Sequence, residues 1–300
     1  MRDVIILGGG VAGLTAGIYC MRAGLNAVLY ESIATGGQAA LTNEIENYPG
    51  FPSPISGAEL TSLMEKQAKN LGLEIKRGKA TEVSSAGGYH KCTFSSGIEE
   101  SAKAIIIATG ASPRKTGLQN ELRLGGMGVS YCATCDGFFY RGKTVAVVGG
   151  GDTAVSDAIF LSQFCKKVYL IHRRDTLRAA KKLQERLFSI ENVEIIWNST
   201  PEDILGESRV SGIRIKNTKT QDISDIETDG IFIAIGVIPN SEIFRNMLDC
   251  DENGFIITDE RMETSVKGIF AAGDIRHKPL LQIVTAAADG AVAATFAAMV

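Results

Sequence analysis

The residues best suited to chemistry are a close pair of cysteines followed by an acid. Cys132 and Cys135 are separated by two residues, and Asp136 follows directly. One such pair in a chain with few cysteines favours a reversible disulfide in which one thiol has a lowered pKa. Asp136 is the nearest candidate for proton transfer, because no histidine lies beside the pair. The alternative is that Asp136 only forms a turn with the glycine after it.

Zinc is the main alternative ligand for a C-x-x-C pair. A structural zinc site needs four ligands, and the sequence has neither a second C-x-x-C nor a histidine cluster near this one. His90 and His277 are isolated in the sequence. We therefore expect no metal. The other cysteines stand in apolar or mixed segments, where small buried side chains are common; they are Cys20, Cys92, Cys165 and Cys250.

A strand, a glycine turn and a helix are predicted twice, in register with each other. The apolar run 4–7 leads into G-x-G-x-x-G, and the predicted strand 144–148 leads into G-x-G-x-x-A. In a dinucleotide-binding turn, these small residues allow close approach to a pyrophosphate, which the N-terminus of the helix then binds. Two copies indicate two dinucleotides. The predicted binding positions are Gly8, Gly10 and Gly13 in the first copy, and Gly149, Gly151, Asp152, Thr153 and Ala154 in the second.

The residue at the end of the second strand differs between the copies and indicates which nucleotide each copy binds. Glu31 ends that strand in the first copy, and His172 stands at the matching place in the second. A carboxylate accepts a hydrogen bond from a ribose 2′-hydroxyl but repels a 2′-phosphate, which arginines attract. The first copy should therefore bind FAD or NAD. The second should bind NADP(H) through His172, Arg173, Arg174 and Arg178, the alternative being a solvated basic surface.

A second repeated feature predicts the domain boundaries. Residues 104–110 and 230–236 are each an apolar strand ending in glycine, followed shortly by Pro113 and Pro239. We interpret these segments as the two crossings into an inserted domain. The prediction is an α/β protein of two Rossmann-like domains, in which the NADP(H)-binding domain is inserted into the domain that binds FAD or NAD. The FAD- or NAD-binding domain would comprise 1–113 and 241–300, and the NADP(H)-binding domain 114–240.

Composition excludes several classes of function. The net charge of −3 gives no electrostatic reason to expect binding to nucleic acid or to a membrane surface. No apolar run reaches the roughly 18 residues of a membrane span. With 45% hydrophobic and 22% charged residues, the sequence is typical of a globular enzyme, and we expect a cytoplasmic one.

The segment Cys132-Ala133-Thr134-Cys135-Asp136-Gly137, between two nucleotide-binding patterns, resembles the low-molecular-weight (bacterial-type) thioredoxin reductase family. The likeness continues through 35–38, 46–50, 172–178 and 271–274, with Gln282 beyond them. It implies a homodimer with bound FAD. Further FAD-binding positions implied by the resemblance are Gly37, Gln38, Asn47, Gly273, Asp274, Gln282 and Ile283.

The resemblance also implies a reaction. Hydride would pass from NADPH to FAD, electrons would pass on to the Cys132–Cys135 disulfide, and the dithiol would reduce thioredoxin. Cys135 would exchange electrons with the flavin, Cys132 would attack the partner disulfide, and Asp136 would transfer the proton. The alternatives are a different protein or small dithiol partner, or a flavin-holding redox sensor. Met127, Leu281 and the pair Ser156-Asp157 replace residues that are usual in the family.

Overall fold

The computed structural model describes residues 1–42 and 44–300. The chain forms two compact units. The first unit comprises Met1–Ser112 and Ile238–Val300, and the second unit comprises Pro113–Val237. The second unit is therefore an insertion into the first.

The strands and helices follow each other in mixed order along the chain. The strands are β1 (Arg2–Leu7), β2 (Ala27–Glu31), β3 (Glu74–Arg77), β4 (Ala80–Ala86), β5 (Tyr89–Phe94), β6 (Glu99–Ile107), β7 (Ala111–Pro113), β8 (Val129–Ser130), β9 (Thr144–Gly149), β10 (Lys167–Ile171), β11 (Val193–Ile196), β12 (Ser199–Leu205), β13 (Gly212–Asn217), β14 (Ile223–Glu227), β15 (Gly230–Ala234), β16 (Val237–Pro239) and β17 (Ile269–Ala271). The helices are α1 (Val11–Arg22), α2 (Gly57–Asn70), α3 (Gln119–Arg123), α4 (Ala133–Asp136), α5 (Asp152–Ser162), α6 (Lys181–Phe188) and α7 (Ile283–Ala297).

The first unit is built on a sheet in the order β3-β2-β1-β6-β5-β4, with β17 also paired to β6. Strands β3, β2, β1, β6 and β17 run parallel, and β4 and β5 continue the sheet antiparallel. Val4 and Ile6 of β1 pack with Leu14 of α1, whereas Ile5 and Leu7 belong to the apolar cluster on the opposite face. Because both faces are covered there, β1 is apolar from Val4 to Leu7.

The second unit has a five-stranded parallel sheet, β11-β10-β9-β15-β8, and a separate antiparallel sheet, β12-β13-β14. Val147 of β9 packs with Val155 of α5 on one face, and Val148 packs with Ile213 of β13 on the other. The order β9-α5-β10 thus repeats the order β1-α1-β2. Each glycine turn lies at the carboxyl end of a central parallel strand, where open α/β sheets bind ligands.

No helix in the described part of the chain is long and apolar enough to cross a membrane.

Candidate functional site

The two redox candidates form a disulfide at the start of α4. Cys132 is the residue that precedes the helix, and Cys135 lies within its single turn, so that their Cα atoms are 5.3 Å apart. The backbone N–H groups of Cys135 and Asp136 donate to the carbonyl of Cys132 at 3.3 and 3.1 Å. Both cysteines are partly exposed. This turn therefore holds the disulfide in a partly exposed segment.

The other four cysteines are free thiols, and three of them are buried. Burial raises the pKa of Cys20 and of Cys92 to about 12, and that of Cys165 to about 11. Burial also raises the pKa of Cys250, which is only partly buried. Since the thiolate is the nucleophile, these side chains are poor candidates for disulfide exchange.

Asp136 lies at the end of α4, next to the disulfide in the sequence. Its Oδ2 accepts a hydrogen bond of 2.6 Å from the hydroxyl of Ser130. Burial raises the pKa of Asp136, and the bond from Ser130 opposes that shift without cancelling it. A carboxyl group with a raised pKa holds a proton at higher pH than an exposed aspartate does, which suits an acid that donates a proton.

The first glycine turn is crowded at two positions and open at the third. A Cβ on Gly8 would lie 2.3 Å from the carbonyl oxygen of Ala108, and one on Gly13 would lie 1.9 Å from that of Gly8. A Cβ on Gly10 would meet only the Cα of Gly37, at 4.0 Å. Gly10 precedes α1, which has no side-chain cap. The turn thus leaves a helix N-terminus free for an anion.

Glu31 is held beside that turn. Its Oε2 accepts from the N–H of Gly9 at 2.7 Å, and its Oε1 accepts from the N–H of Ile33 at 3.0 Å. Both bonds leave lone pairs on a partly exposed carboxylate. The carboxylate is therefore fixed at the position where the sequence predicts a ribose contact.

Other predicted FAD positions come together in the first unit. The N–H of Gly36 donates to the carbonyl of Gly9 at 2.8 Å, which sets the turn Gly37–Leu41, including exposed Gln38, beside the glycine turn. Asn47 donates to the side-chain oxygen of Gln282 at 3.1 Å. Gln282 caps α7, which begins at Ile283.

Asp274 has a buried carboxylate oxygen that accepts no hydrogen bond from the described residues. Among the described residues, its Oδ1 has no hydrogen-bond partner, although the ammonium of Lys278 lies 3.4 Å away. Burial raises the pKa of Asp274, and Lys278 opposes the shift. Gly273, just before it, donates from its N–H to Asp289 at 3.1 Å. A buried oxygen that has an ion-pair partner but no hydrogen bond, at a predicted flavin contact, can accept from a hydroxyl of a ligand.

The second glycine turn has the same design. A Cβ on Gly149 would lie 2.4 Å from the carbonyl oxygen of Ala234, whereas a Cβ on Gly151 would meet nothing within 4 Å. Gly151 precedes α5, which again has no side-chain cap. Asp152 and Thr153 are exposed in the first turn of α5, and Ala154 is fully buried.

Hydrogen bonds tie this glycine turn to the segment that carries the arginines. The ring of His172 is buried, with Nδ1 at 3.0 Å from the carbonyl of Gly149 and Nε2 at 2.9 Å from that of Thr176. The N–H of Arg178 donates to the carbonyl of Gly150 at 2.8 Å, and the N–H of residue 180 donates to Asp152 at 2.7 Å. The ring of His172 thus packs against the backbone of the glycine turn. Arg173, Arg174 and Arg178 are exposed.

Three residues near the disulfide were missed by the sequence analysis. Glu121 is 1% exposed, and its carboxylate accepts from Tyr131, the residue before Cys132, at 2.7 Å. The third is Ser130, which bonds Asp136. No spacing rule links these residues, because each bond joins different elements. The only sequence signal was their closeness to the cysteine pair.

Comparisons with known proteins give a consistent result. The model of the family "Pyridine nucleotide-disulphide oxidoreductase" matches residues 2–291. The thioredoxin reductase of Bacillus subtilis is 48% identical over 293 residues, which are 97% of this chain and 92% of that protein. That of Streptomyces coelicolor is 43% identical over 296 residues, 98% of this chain and 92% of its own.

A solved structure is also similar to this chain. A crystal structure of thioredoxin reductase from Streptococcus pyogenes has a TM-score of 0.93 at 43% identity, covering 99% of this chain and 97% of that one. This likeness confirms the predicted α/β fold with two Rossmann-like domains.

Proposed function

This chain belongs to the pyridine nucleotide-disulphide oxidoreductase family, and from that premise we propose that it uses NADPH and bound FAD to reduce the disulfide of thioredoxin. The observation that carries the proposal is the Cys132–Cys135 disulfide, whose two cysteines are partly exposed and are followed directly by Asp136, in a chain whose full-length relatives are thioredoxin reductases. The family implies a flavin and a pyridine nucleotide. Their identities as FAD and NADPH are part of the proposal.

The first unit offers the features that FAD requires. Gly10 leaves space and an uncapped helix for a pyrophosphate, Glu31 is placed for a ribose, and Asp274 has an oxygen in need of a donor. The second unit offers the same glycine turn with Arg173 and Arg174 exposed beside it. Arginines bind phosphate through charge-assisted hydrogen bonds, which supports NADPH over NADH.

The chain itself contributes the disulfide and an acid. Bound FAD and NADPH would supply the electron pair. Addition of that pair breaks the S–S bond and leaves one thiolate and one sulfur that needs a proton, which Asp136 can donate. As a thiolate, Cys132 attacks the partner disulfide and displaces one partner sulfur, and Cys135 then attacks the mixed disulfide. Asp136 takes back the proton from Cys135 as that attack occurs, and the two displaced partner sulfurs take up protons from water. The partner leaves as a dithiol, and the Cys132–Cys135 disulfide forms again.

The surface after the disulfide favours a protein partner over a small dithiol. Phe138 is 44% exposed and Phe139 is 38% exposed, directly after the α4 turn. Phe138 stacks on Phe164 with ring centroids 4.7 Å apart, which fixes its orientation. Exposed aromatic side chains held rigidly are typical anchors of protein–protein contacts. By resemblance to the family, we also propose a homodimer that acts in the cytoplasm.

The test is NADPH oxidation by the purified protein with oxidised thioredoxins from the same host, offered one at a time. We expect a yellow protein with one FAD per chain and steady turnover with at least one thioredoxin. Faster turnover with a small disulfide than with any thioredoxin would show that the partner is not thioredoxin. Flavin that is bound and reduced once, with no turnover on any disulfide, would instead favour a redox sensor. Sedimentation of the holoprotein measures the homodimer separately.

A further inference from the structure

Ser130 is a buried serine between the central sheet of the second unit and the redox turn. It is the last residue of β8, where it pairs with Phe232 of β15, and it is 5% exposed. The parallel pairing fixes its backbone next to the turn that begins two residues later.

The Ser130 hydroxyl makes contacts on both sides of that turn. Its oxygen accepts from the N–H of Cys132 at 3.1 Å and lies 2.6 Å from Oδ2 of Asp136. The carbonyl oxygen of Cys132 lies 3.3 Å away. A hydroxyl has one hydrogen, so at any one time it can donate either to the carboxylate or to the carbonyl. The shorter, charge-assisted bond goes to the ionised carboxylate.

This geometry accommodates both protonation states of Asp136. When Asp136 is ionised, Ser130 donates to it. When Asp136 is protonated on Oδ2, the carboxyl O–H can donate to the Ser130 oxygen, and the serine hydrogen can turn to the Cys132 carbonyl. The Ser130 hydroxyl and Oδ2 of Asp136 thus each keep a hydrogen-bond partner in either state, without movement of the heavy atoms.

We propose that Ser130 is a positioning residue that holds Asp136 beside the disulfide in both protonation states and sets how readily Asp136 gives up its proton. The inference rests on the proposed function, in which Asp136 exchanges a proton with the dithiol. Burial raises the pKa of Asp136, and the Ser130 bond is the interaction that lowers it. Removal of the hydroxyl should therefore move the titration of Asp136 to higher pH.

Other titratable groups lie around α4 and must be separated in the test. Tyr140 is in the turn that follows, and its pKa is raised by burial and by Asp136. Arg209 and Asp229 act on Tyr140 in opposite directions. On α5, which packs against α4, burial raises the pKa of Asp157 to about 7. Asp157 therefore needs its own control in the titration.

The experiment is an infrared titration of protonated carboxyl groups in the oxidised holoprotein, with no partner present. Asp136→Asn identifies the Asp136 signal, and Asp157→Asn identifies that of Asp157. We expect Ser130→Ala to raise the midpoint of the Asp136 signal by about 1 pH unit or more, the loss of one hydrogen bond to a charged group. Ser130→Thr, which keeps a hydroxyl, should shift it less. Ser199→Ala removes another buried serine hydroxyl of the second unit, one bonded to a carbonyl, and should not shift it.

Turnover gives an independent measurement. Ser130→Ala should raise the pH at which thioredoxin reduction declines, but it should add nothing further in an Asp136→Asn background. If Ser130→Ala does not fold, Ser130→Cys, with its weak thiol donor, is expected to shift the infrared midpoint in the same direction.

An unchanged midpoint in the variant without the hydroxyl, equal shifts for alanine and threonine, or a further loss of turnover in the double variant would each overturn the proposal. The infrared result stands without any partner. A wild-type protein that fails to turn over with thioredoxin would therefore contradict the proposed function without affecting the infrared test of Ser130.

Discussion

Glu121→Gln should destabilise the second unit strongly, because Glu121 joins two segments next to the disulfide. Glu121 belongs to α3 and is 1% exposed. One carboxylate oxygen accepts from the N–H of Thr116 at 3.1 Å and from the hydroxyl of Tyr131 at 2.7 Å. The other accepts from the hydroxyl of Thr116 at 2.7 Å and from the N–H of Gly117 at 2.9 Å. The carboxylate thus fastens the start of the second unit to the residue before Cys132.

The size of the effect follows from these four bonds. A glutamine amide can be placed in two orientations, and in both its NH₂ group faces a backbone N–H, of Thr116 or of Gly117. In either orientation that N–H loses its acceptor, the hydroxyl that faces the NH₂ group must turn to accept from it, and the two bonds to the remaining oxygen lose their charged acceptor. Hydrogen bonds to charged groups contribute about 1.5–3 kcal/mol each, so we expect the free energy of unfolding to fall by about 3 kcal/mol or more. Tyr131→Phe removes only one bond and should cost about half as much.

The effect should also depend on pH. These hydrogen bonds hold the pKa of Glu121 below its ordinary value of 4.5, against the opposing effect of burial. A lowered pKa in the folded state means that the contribution is present above the unfolded pKa and is lost as the pH falls through the folded value. The difference between wild type and Glu121→Gln should therefore be full at neutral pH and shrink below about pH 4.5.

Urea unfolding followed by tryptophan fluorescence measures this directly, because the single tryptophan of the chain, Trp197, lies in the second unit. The matched control is Glu194→Gln, an exposed glutamate of the same unit that pairs with Lys167 at 2.9 Å. Exposed ion pairs contribute about 0–1 kcal/mol. If Glu121→Gln lowers the unfolding midpoint no more than Glu194→Gln does, the four bonds do not stabilise the unit and the reasoning is wrong.

Three further predictions concern the cofactors and the partner. Replacing Arg173 and Arg174 with glutamine should raise the KM for NADPH by about 100-fold while changing that for NADH far less; equal changes would mean that they do not contact the 2′-phosphate. Met127→Arg, at a position that is 59% exposed, should alter the KM for thioredoxin but not the rate of flavin reduction by NADPH, which stopped-flow absorbance separates. Gly10→Val should fold yet purify without flavin, because its side chain would enter open space at the predicted pyrophosphate site. Gly13→Val should fail to fold instead, because its Cβ would meet a backbone oxygen at 1.9 Å; flavin content and circular dichroism distinguish the two.

The repeated features of the fold could be predicted from the sequence, because they depend on local spacing. The small residues of the two glycine turns stand at fixed distances from a strand and a helix, and the structure has β1-α1-β2 and β9-α5-β10 there. The predicted disulfide partners are likewise one helical turn apart, and they are bonded. Patterns of this kind are set by residues close together in the chain.

What could not be predicted depends on which segments meet in space. His172 stands in register with Glu31, yet its ring faces the backbone of the glycine turn, and no periodicity reveals which way a ring points. In the sequence Glu121 is one more charged residue in a short helix, and nothing there shows that Thr116, Gly117 and Tyr131 surround its carboxylate with donors. The environment of Asp136 needed Ser130 at the end of a different element.

The most direct test of the central claim, that Cys132 and Cys135 accept electrons from the bound flavin, is an anaerobic reductive titration with NADPH, followed by absorbance. A dithiol–disulfide couple takes up two electrons. The wild-type protein should therefore consume two electrons more per chain than Cys135→Ser before the flavin and the disulfide are both reduced. It should then show two free thiols that were absent before reduction. Equal electron uptake by the two proteins would contradict the account.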